Sequence, residues 1–375
     1  MTPNQTSSQT TTLPQSQHEQ TAWLQLSRSR RVGPATFRRL INEYGTCQAA
    51  LYALPDIAQS AGAKNYTPYD AKSAERELEQ GLSLGLTPMF LGDANYPTLL
   101  AEAGDAPAFL WAKGNATLGT KTCVSLVGAR NASSLGIRLA KRIAQELGEL
   151  GYTVVSGLAR GIDTAVHDGS LTTGTIAVQA GGILTPYPKE NTKLQNTIGE
   201  QGLCLSEQPI GLIPQARHFP QRNRIIAGLS LAVVVIEGAA RSGSLITARA
   251  AADLGRDVMA IPGSPMDPRA SGCNMLIRDG ATLVRSAADI HEALAQPTLD
   301  AHPTQIETSA PAAVQMNESD IAQKILAALS VNAIAEDAVI RDTGLPPTEV
   351  VRHITTLEMS GKVHRGAGGY LSLAS

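Results

Sequence analysis

Apolar residues follow two rhythms along this chain, and the changes of rhythm divide it. From Cys123 to Gly161 the sequence reads CVSLVGARNASSLGIRLAKRIAQELGELGYTVVSGLARG. CVSLV is a continuous apolar, β-rich run of the kind buried on both faces of a parallel sheet, and it breaks at Gly128-Ala129-Arg130. After Ser133 or Ser134, either of which could cap a helix, Leu135, Leu139, Ile143 and Leu147 recur at every fourth position until Gly151 stops the run. TVVSG follows as a second strand ending in Ser156-Gly157-Leu158-Ala159-Arg160-Gly161, which completes one predicted βαβ unit. The alternation continues through TIAVQAGG, a helix from Asn191 to Gly202, LCLSE, an Arg-rich segment, LAVVVIEG, the helix LITARAAADLG and DVMAIPG. This order predicts an α/β fold with a doubly wound, mainly parallel sheet. Upstream, TPMFL and AFLWAKG are candidates to extend the sheet at an edge.

The flanks read differently. Residues 1–21 are Gln, Ser and Thr with little that could be buried, and are expected to be a disordered tail. Residues 22–85 turn helical: Val32-Gly33-Pro34 leads into a stretch with Phe37, Leu40, Ile41 and Tyr44 on one face and Gly45 as terminator. The turn is similar to a helix-hairpin-helix or SAM-like element, which offers backbone N–H groups to phosphates; a plain turn within a small helical domain is the alternative. The core is expected over 86–292, a Pro-, Thr- and Ala-rich linker over 293–317, and a winged helix over 318–375, where three helical runs precede a Gly-turned hairpin. Val350, Ile354 and Leu357 face its core, and its third helix sets only Arg352 and His353 against Glu349 and Glu358. Groove reading by that helix is therefore disfavoured relative to protein contact or autoregulation.

Charge and composition narrow the classes. The 375 residues carry a net charge of −2, so any polyanion site must be local. Lys121 to Asp289 holds 17 Lys and Arg against 13 Asp and Glu, which makes the middle mildly basic. The four cysteines form no CxxC pair, so a reduced, cytoplasmic setting is expected. With no charged-then-apolar leader and no apolar run near 18 residues, neither secretion nor a membrane partner is expected. There is no GxxxxGK[ST], GxGxxG or HExxH, and no metal-spaced Cys/His set. Binding is thus favoured over chemistry, with no catalytic residue, metal or cofactor expected. Asp163 and His167 stand four apart, but a capping acid and a satisfied histidine explain them better than acid–base chemistry. Nearly every predicted strand ends in glycine or a small hydroxyl residue, with Arg130, Arg160, Lys189, Lys193, Arg222, Arg224 and Arg241 in or beside the loops. In an open parallel sheet these carboxyl ends share one edge, so that edge is expected to be a phosphate-binding rim. Ser242-Gly243-Ser244, opening a helix, adds free N–H groups to it.

LVGARNAS, SGLARGIDTAVH, YPKEN, FPQRNRIIAGLS, SGSLIT and IPGSP, in that order, resemble the motif series of the DNA-processing protein A family (DprA, also called Smf) over about residues 88–290. The resemblance implies an extended Rossmann domain that binds single-stranded DNA without sequence preference during natural transformation, forms a homodimer and helps load the recombinase RecA. Carried over motif by motif, it assigns DNA contact to Arg130, Ser156, Gly157, Lys193, Arg222, Asn223, Arg224, Ser242, Gly243 and Ser244, donors suited to a phosphodiester backbone. Tyr187 and Phe219 on the same rim are candidates for base stacking. Leu184 stands where the family usually has an acidic residue. Two other functions are compatible with the residues. One is a Rossmann-like nucleoside monophosphate phosphoribohydrolase using Glu207 or Glu237; the other is a duplex-binding regulator acting through the winged helix.

Overall fold

The structure, a computed structural model, describes residues 13–295, 318–329, 333–366 and 369–374. Two compact units result. One takes in Tyr69–Leu294 with the residues up to Leu51, and the other takes the residues from Ala295 onward with Tyr52–Pro68.

The chain opens with four helices, α1 (Gln17–Arg28), α2 (Pro34–Tyr44), α3 (Cys47–Ser60) and α4 (Ala71–Ser83). The tail expected to be disordered through Thr21 is helical from Gln17. Ser16 Oγ accepts from Glu19 N at 3.3 Å and Glu19 Oε2 accepts from Ser16 N at 3.1 Å, a reciprocal capping box that satisfies two donors at the helix start. Ala22, Trp23, Leu24 and Leu26 then give α1 a buried face that ties it down. Residues 1–12 of that expected tail lie outside the described residues.

The α/β core contains β1 (Thr87–Phe90), α5 (Thr98–Glu102), β2 (Phe109–Gly114), β3 (Cys123–Val127), α6 (Ser134–Glu149), β4 (Thr153–Ser156), α7 (Ile162–Ser170) and β5 (Thr175–Val178). It continues with α8 (Thr192–Gln201), β6 (Leu203–Ser206), α9 (His218–Leu229), β7 (Ala232–Val235), α10 (Gly243–Asp253), β8 (Asp257–Ala260), α11 (Ser271–Arg278), β9 (Thr282–Leu283) and α12 (Ala287–Ala295). The sheet order is β1-β2-β6-β5-β4-β3-β7-β8-β9, parallel from β6 to β9, with β2 antiparallel to β6 and β1 antiparallel to β2. This is the doubly wound α/β sheet expected, with TPMFL and AFLWAKG forming the antiparallel edge. The chain winds outward from β3 to β6, then returns by α9, which packs across β5, β4 and β3, to place β7 on the other side of β3. The winding direction reverses at β3, so a crevice is expected beside its carboxyl end.

On α6, the buried face is Ala140, Ile143, Ala144 and Leu147, whereas Leu135 is exposed. The small residues win because α7 lies very close: a Cβ on Gly169 would stand 2.3 Å from the Lys141 carbonyl oxygen. Of the helices expected over 22–85, α1 and α4 pack against the edge strands. Trp23 donates Nε1–H to the Ala108 carbonyl at 2.8 Å and starts a ladder of rings, Trp23–Phe90, Phe90–Phe109 and Phe109–Trp111, with centroids 5.9, 5.4 and 5.1 Å apart. Trp111 Nε1–H donates to Glu77 Oε1 at 2.9 Å, and Glu77 pairs with Arg28 at 2.8 Å. Such ring pairs and the partnered indole N–H groups fix the helical layer against the sheet.

The winged helix is built from α13 (Glu318–Ala328), β10 (Ile334–Ala335), α14 (Glu336–Thr343), α15 (Pro347–Met359), β11 (Val363–Arg365) and β12 (Tyr370–Leu373), with sheet order β10-β12-β11. Val350, Ile354 and Leu357 pack into its core with Ile325, Val339 and Leu371. The linker expected between the two folded parts begins later than residue 293, because α12 runs to Ala295; residues 296–317 lie outside those described.

Candidate nucleic-acid interface

The loops after β3, β4 and β5 and the first turns of α9 enclose a cleft of about 390 Å³ next to the reversal point. Its walls carry Arg130, Gly157, Gln179, Tyr187, Phe219 and Arg222. Its shape depends on glycine at position 157, because a Cβ there would stand 2.0 Å from Arg222 Nη1. Gly161 is equally constrained: with φ of 76° and only 2.3 Å between a would-be Cβ and the Ala129 carbonyl, it lets the β4 loop fold back under Arg130.

Arg222 is 6% exposed and donates to the carbonyls of Gly157 and Val178, the second at 2.7 Å. Its Nε has no partner. Burial lowers its pKa to about 10; the Asp163 carboxylate opposes that shift and Arg130 adds to it. Burial also raises the pKa of Asp163, whose Oδ2 accepts from Ala159 N at 3.2 Å. Both groups are thus shifted against their charged forms, so desolvation outweighs their mutual attraction. The guanidinium remains charged at neutral pH with neutral carbonyls as its direct partners. A buried cation in that state favours an anion in the cleft.

Beside it, Tyr187 and Phe219 stand 5.4 Å apart at 55°, and the Arg130 guanidinium lies over the Phe219 ring at 4.9 Å. Tyr187 is 45% exposed, so one ring of the pair faces solvent. Arg160 is paired with Glu190 at 2.5 Å, but both side chains are mostly exposed and the pair contributes little.

The remaining residues expected on the rim divide. Asn223 Nδ2 donates to the Gly243 carbonyl at 3.3 Å, linking α9 to the start of α10. There Ser242 and Ser244 bond each other through their hydroxyls at 2.6 Å and neither side chain caps the helix, so its first N–H groups have no side-chain acceptor. Lys193 is exposed on the first turn of α8, outside the residues that line the cleft. Ser156 turns its hydroxyl inward to the Leu126 carbonyl at 2.7 Å and joins β4 to β3.

Arg224 departs from the expectation of a phosphate-facing guanidinium. Its Nη2 donates to both Glu207 carboxylate oxygens at 2.6 and 2.5 Å, its Nη1 bonds the Asp105 carbonyl, and it is 7% exposed. The cause is helical phase. The Arg-rich segment is α9, and residues two apart on a helix point about 200° away from each other. Arg222 enters the cleft, so Arg224 faces the opposite way. Both carboxylates considered for catalysis are also occupied. Glu207 holds Arg224, and Glu237 accepts from Ser133 N at 2.8 Å and Ser133 Oγ at 2.5 Å at the start of α6.

His167 is fully buried and its pKa falls to about 3, through burial and then the charge of Arg222. Its Nε2 accepts from Leu158 N at 3.2 Å, so Nδ1 carries the proton toward Thr175 Oγ1 at 2.8 Å. A histidine with an ordinary value near 6.5 when unfolded and about 3 when folded makes the unfolded chain bind the extra proton between those values. Stability is therefore complete above pH 6.5 and is lost as pH falls toward 3. His167→Asn should gain on the wild type by up to about 2 kcal/mol between pH 7 and pH 5, measured as the difference in unfolding free energy. A pH-independent difference would contradict the neutral, buried assignment.

Two contributors escaped the sequence. Arg28 donates to the Glu207 carbonyl at 2.7 Å while pairing with Glu77, and its partners lie too far along the chain for a local pattern. Gln179 had a visible signal, as the one carboxamide inside the otherwise apolar run IAVQA.

These features define a doubly wound α/β protein with a helical layer on its antiparallel edge, a winged helix, and a cationic, aromatic cleft at the carboxyl ends of its strands. Residues 87–295 match the family described as DNA recombination-mediator protein A, residues 17–79 the DprA-like N-terminal HHH domain and residues 308–369 the DprA winged helix domain. The DNA processing protein DprA of Streptococcus pneumoniae is 42% identical over 257 residues, which is 66% of this chain and 89% of that protein. Protein Smf of Synechocystis is 33% identical over 93% of this chain and 98% of its own. The X-ray structure of the pneumococcal DprA superposes with a TM-score of 0.59 at 34% identity, covering 75% of this chain and 98% of that one. DNA processing protein A of Helicobacter pylori, whose structure was described for its single-stranded DNA binding mode, gives 0.51 at 26% identity over 56% of this chain and 95% of its own. The chain belongs to the DNA recombination-mediator protein A family, the DprA/Smf proteins. Among the described residues no helix is long and apolar enough to cross a membrane.

Proposed function

We propose that the protein binds single-stranded DNA through this cleft, without sequence preference, and passes it to a RecA recombinase during natural transformation in the cytoplasm, acting as a homodimer and not as an enzyme. The observation that carries the DNA-binding part is one cleft containing both a buried guanidinium with neutral partners and a ring pair whose Tyr187 member is exposed. The first suits a phosphate and the second a splayed base, a combination typical of single-strand sites. The N-terminus of α10, with Ser242, Gly243 and Ser244, and the exposed Lys193 extend the proposed path for the backbone. The family, and the Helicobacter pylori relative described with single-stranded DNA, support the same reading. RecA contact and dimerisation rest on the family resemblance.

The engaged states of Glu207 and Glu237 weigh against a phosphoribohydrolase, since each would have to abandon a structural partner to act on a nucleotide. The winged helix weighs against duplex reading. From Glu318 onward there are five Lys and Arg against seven Asp and Glu, and Arg352 on α15 is paired with Glu349 and Glu318. Titration of the full chain with single-stranded and duplex oligonucleotides tests the proposal, which predicts tighter single-strand binding. Free base released from nucleoside monophosphates would restore the enzyme. Deleting residues 318–375 should leave single-strand affinity within about tenfold, or about 1.4 kcal/mol. A larger loss would move the principal site to the winged helix. Monomer alone by light scattering at micromolar concentration, with no RecA retained in a pull-down, would remove the mediator role.

A further inference from the structure

Gln179 closes the wall of the cleft at the end of β5, one residue beyond Val178, whose carbonyl Arg222 holds. It is 6% exposed, and neither Oε1 nor Nε2 has a nitrogen or oxygen partner. Burial raises the pKa of the Cys204 thiol and a hydrogen bond from the Gln179 side chain offsets part of that rise, but sulfur is a weak partner and the Cys204 Sγ already contacts the Gln195 carbonyl at 3.7 Å. A buried carboxamide left in this state carries an uncompensated desolvation cost. With only that weak contact to lose, turning toward the cleft sacrifices little.

The chemistry of the missing partner can be deduced. A phosphate offers only acceptors at neutral pH, so it could satisfy Nε2 but not Oε1. An unpaired nucleobase presents a donor and an acceptor side by side on its edge, which a carboxamide matches with two hydrogen bonds. The flanking groups agree: the Tyr187–Phe219 pair supplies a stacking face, and Arg222 supplies the charge for the adjoining phosphate.

We propose that Gln179 is the base-reading residue of the cleft, hydrogen-bonding the edge of one unpaired base held against Tyr187 and Phe219; this rests on the single-strand reading above. Every base offers such a donor–acceptor pair and a carboxamide can rotate to match either order. The contact therefore detects the presence of a base more than its identity, in keeping with sequence-independent binding.

The test is a double-mutant cycle between protein and DNA. The full chain and Gln179→Leu are titrated with oligo-dT and with a series in which an abasic spacer replaces one base at a time. In the wild type, the spacer at the position seated in the cleft should weaken binding roughly tenfold, within the range for loss of a stacked and hydrogen-bonded base. In Gln179→Leu the same spacer should cost at least threefold less, because only stacking is left to lose. The melting temperature of the variant should match or exceed the wild type, since a weakly partnered amide has been removed. An equal spacer penalty in both proteins would overturn the assignment while leaving the single-strand reading intact. A sharp fall in melting temperature would also overturn it, by showing that the amide is already firmly bonded in the free protein. If oligo-dT fails to bind the wild type at all, the single-strand reading falls, and this assignment falls with it.

Discussion

Replacing Arg222 by glutamine should weaken binding of single-stranded oligonucleotides by roughly tenfold to a hundredfold, with a similar factor for any sequence. A charge-assisted hydrogen bond in a desolvated site contributes about 1.5–3 kcal/mol, and this guanidinium is the buried cation of the cleft. Each neutralised phosphate releases condensed counterion, so the slope of log K against log salt should shrink by about 0.7. Arg222→Lys should recover only part of the loss. A lysine keeps the charge but not the planar guanidinium, whose Nη1 donates to both the Gly157 and Val178 carbonyls while the group still lines the cleft. An unchanged salt slope, with the whole effect appearing as a lower melting temperature, would make Arg222 a brace between strand ends and not a phosphate ligand.

Much of this arrangement was legible because it follows local rules. Continuous apolar strands, helices phased at 3.6 residues and glycine at strand ends specify a doubly wound sheet. The rule that ligands meet the carboxyl ends of its strands then brings Arg130, Gly157, Tyr187, Phe219 and Arg222 to one edge from four separate segments. What stayed hidden depended on phase or on distance. HFPQRNRIIAGL contains a proline and two arginines and was legible only as an Arg-rich segment, yet it is helical, with Pro220 in the first turn of α9, where the missing N–H is tolerated. Once the run is helical, Arg222 and Arg224 must diverge. Glu77, Arg28 and Trp111 meet from three distant segments, and no spacing announces them. The start of α1 was different, because the Ser-x-x-Glu capping signature was present in Ser16 and Glu19 and was outweighed by the polar composition around it.

Replacing Arg224 by alanine should have the opposite signature to Arg222→Gln. Arg224 and Glu207 are 8% and 22% exposed at their side chains and meet at 2.5 Å, so removing the guanidinium leaves Glu207 partly buried without its counter-charge and strands the Asp105 carbonyl. Breaking a buried pair from one side costs about 3–5 kcal/mol, most of it the penalty on the partner left behind. The melting temperature should therefore fall by several degrees or more. The salt slope for single-stranded DNA should stay where it is, because no phosphate contact has been lost. Affinity should decline modestly and through geometry: Glu207 also presents its carbonyl to Arg28 of α1, so the pair anchors α9, and with it Phe219 and Arg222, to the helical layer on the sheet edge. The double variant Arg224→Met, Glu207→Leu provides the control. Removing both charges together avoids the stranded carboxylate and should return much of the lost stability. If Arg224→Ala instead lowers the salt slope by about 0.7 at an unchanged melting temperature, the guanidinium leaves Glu207 to grip DNA, and the anchor assigned to it here is wrong.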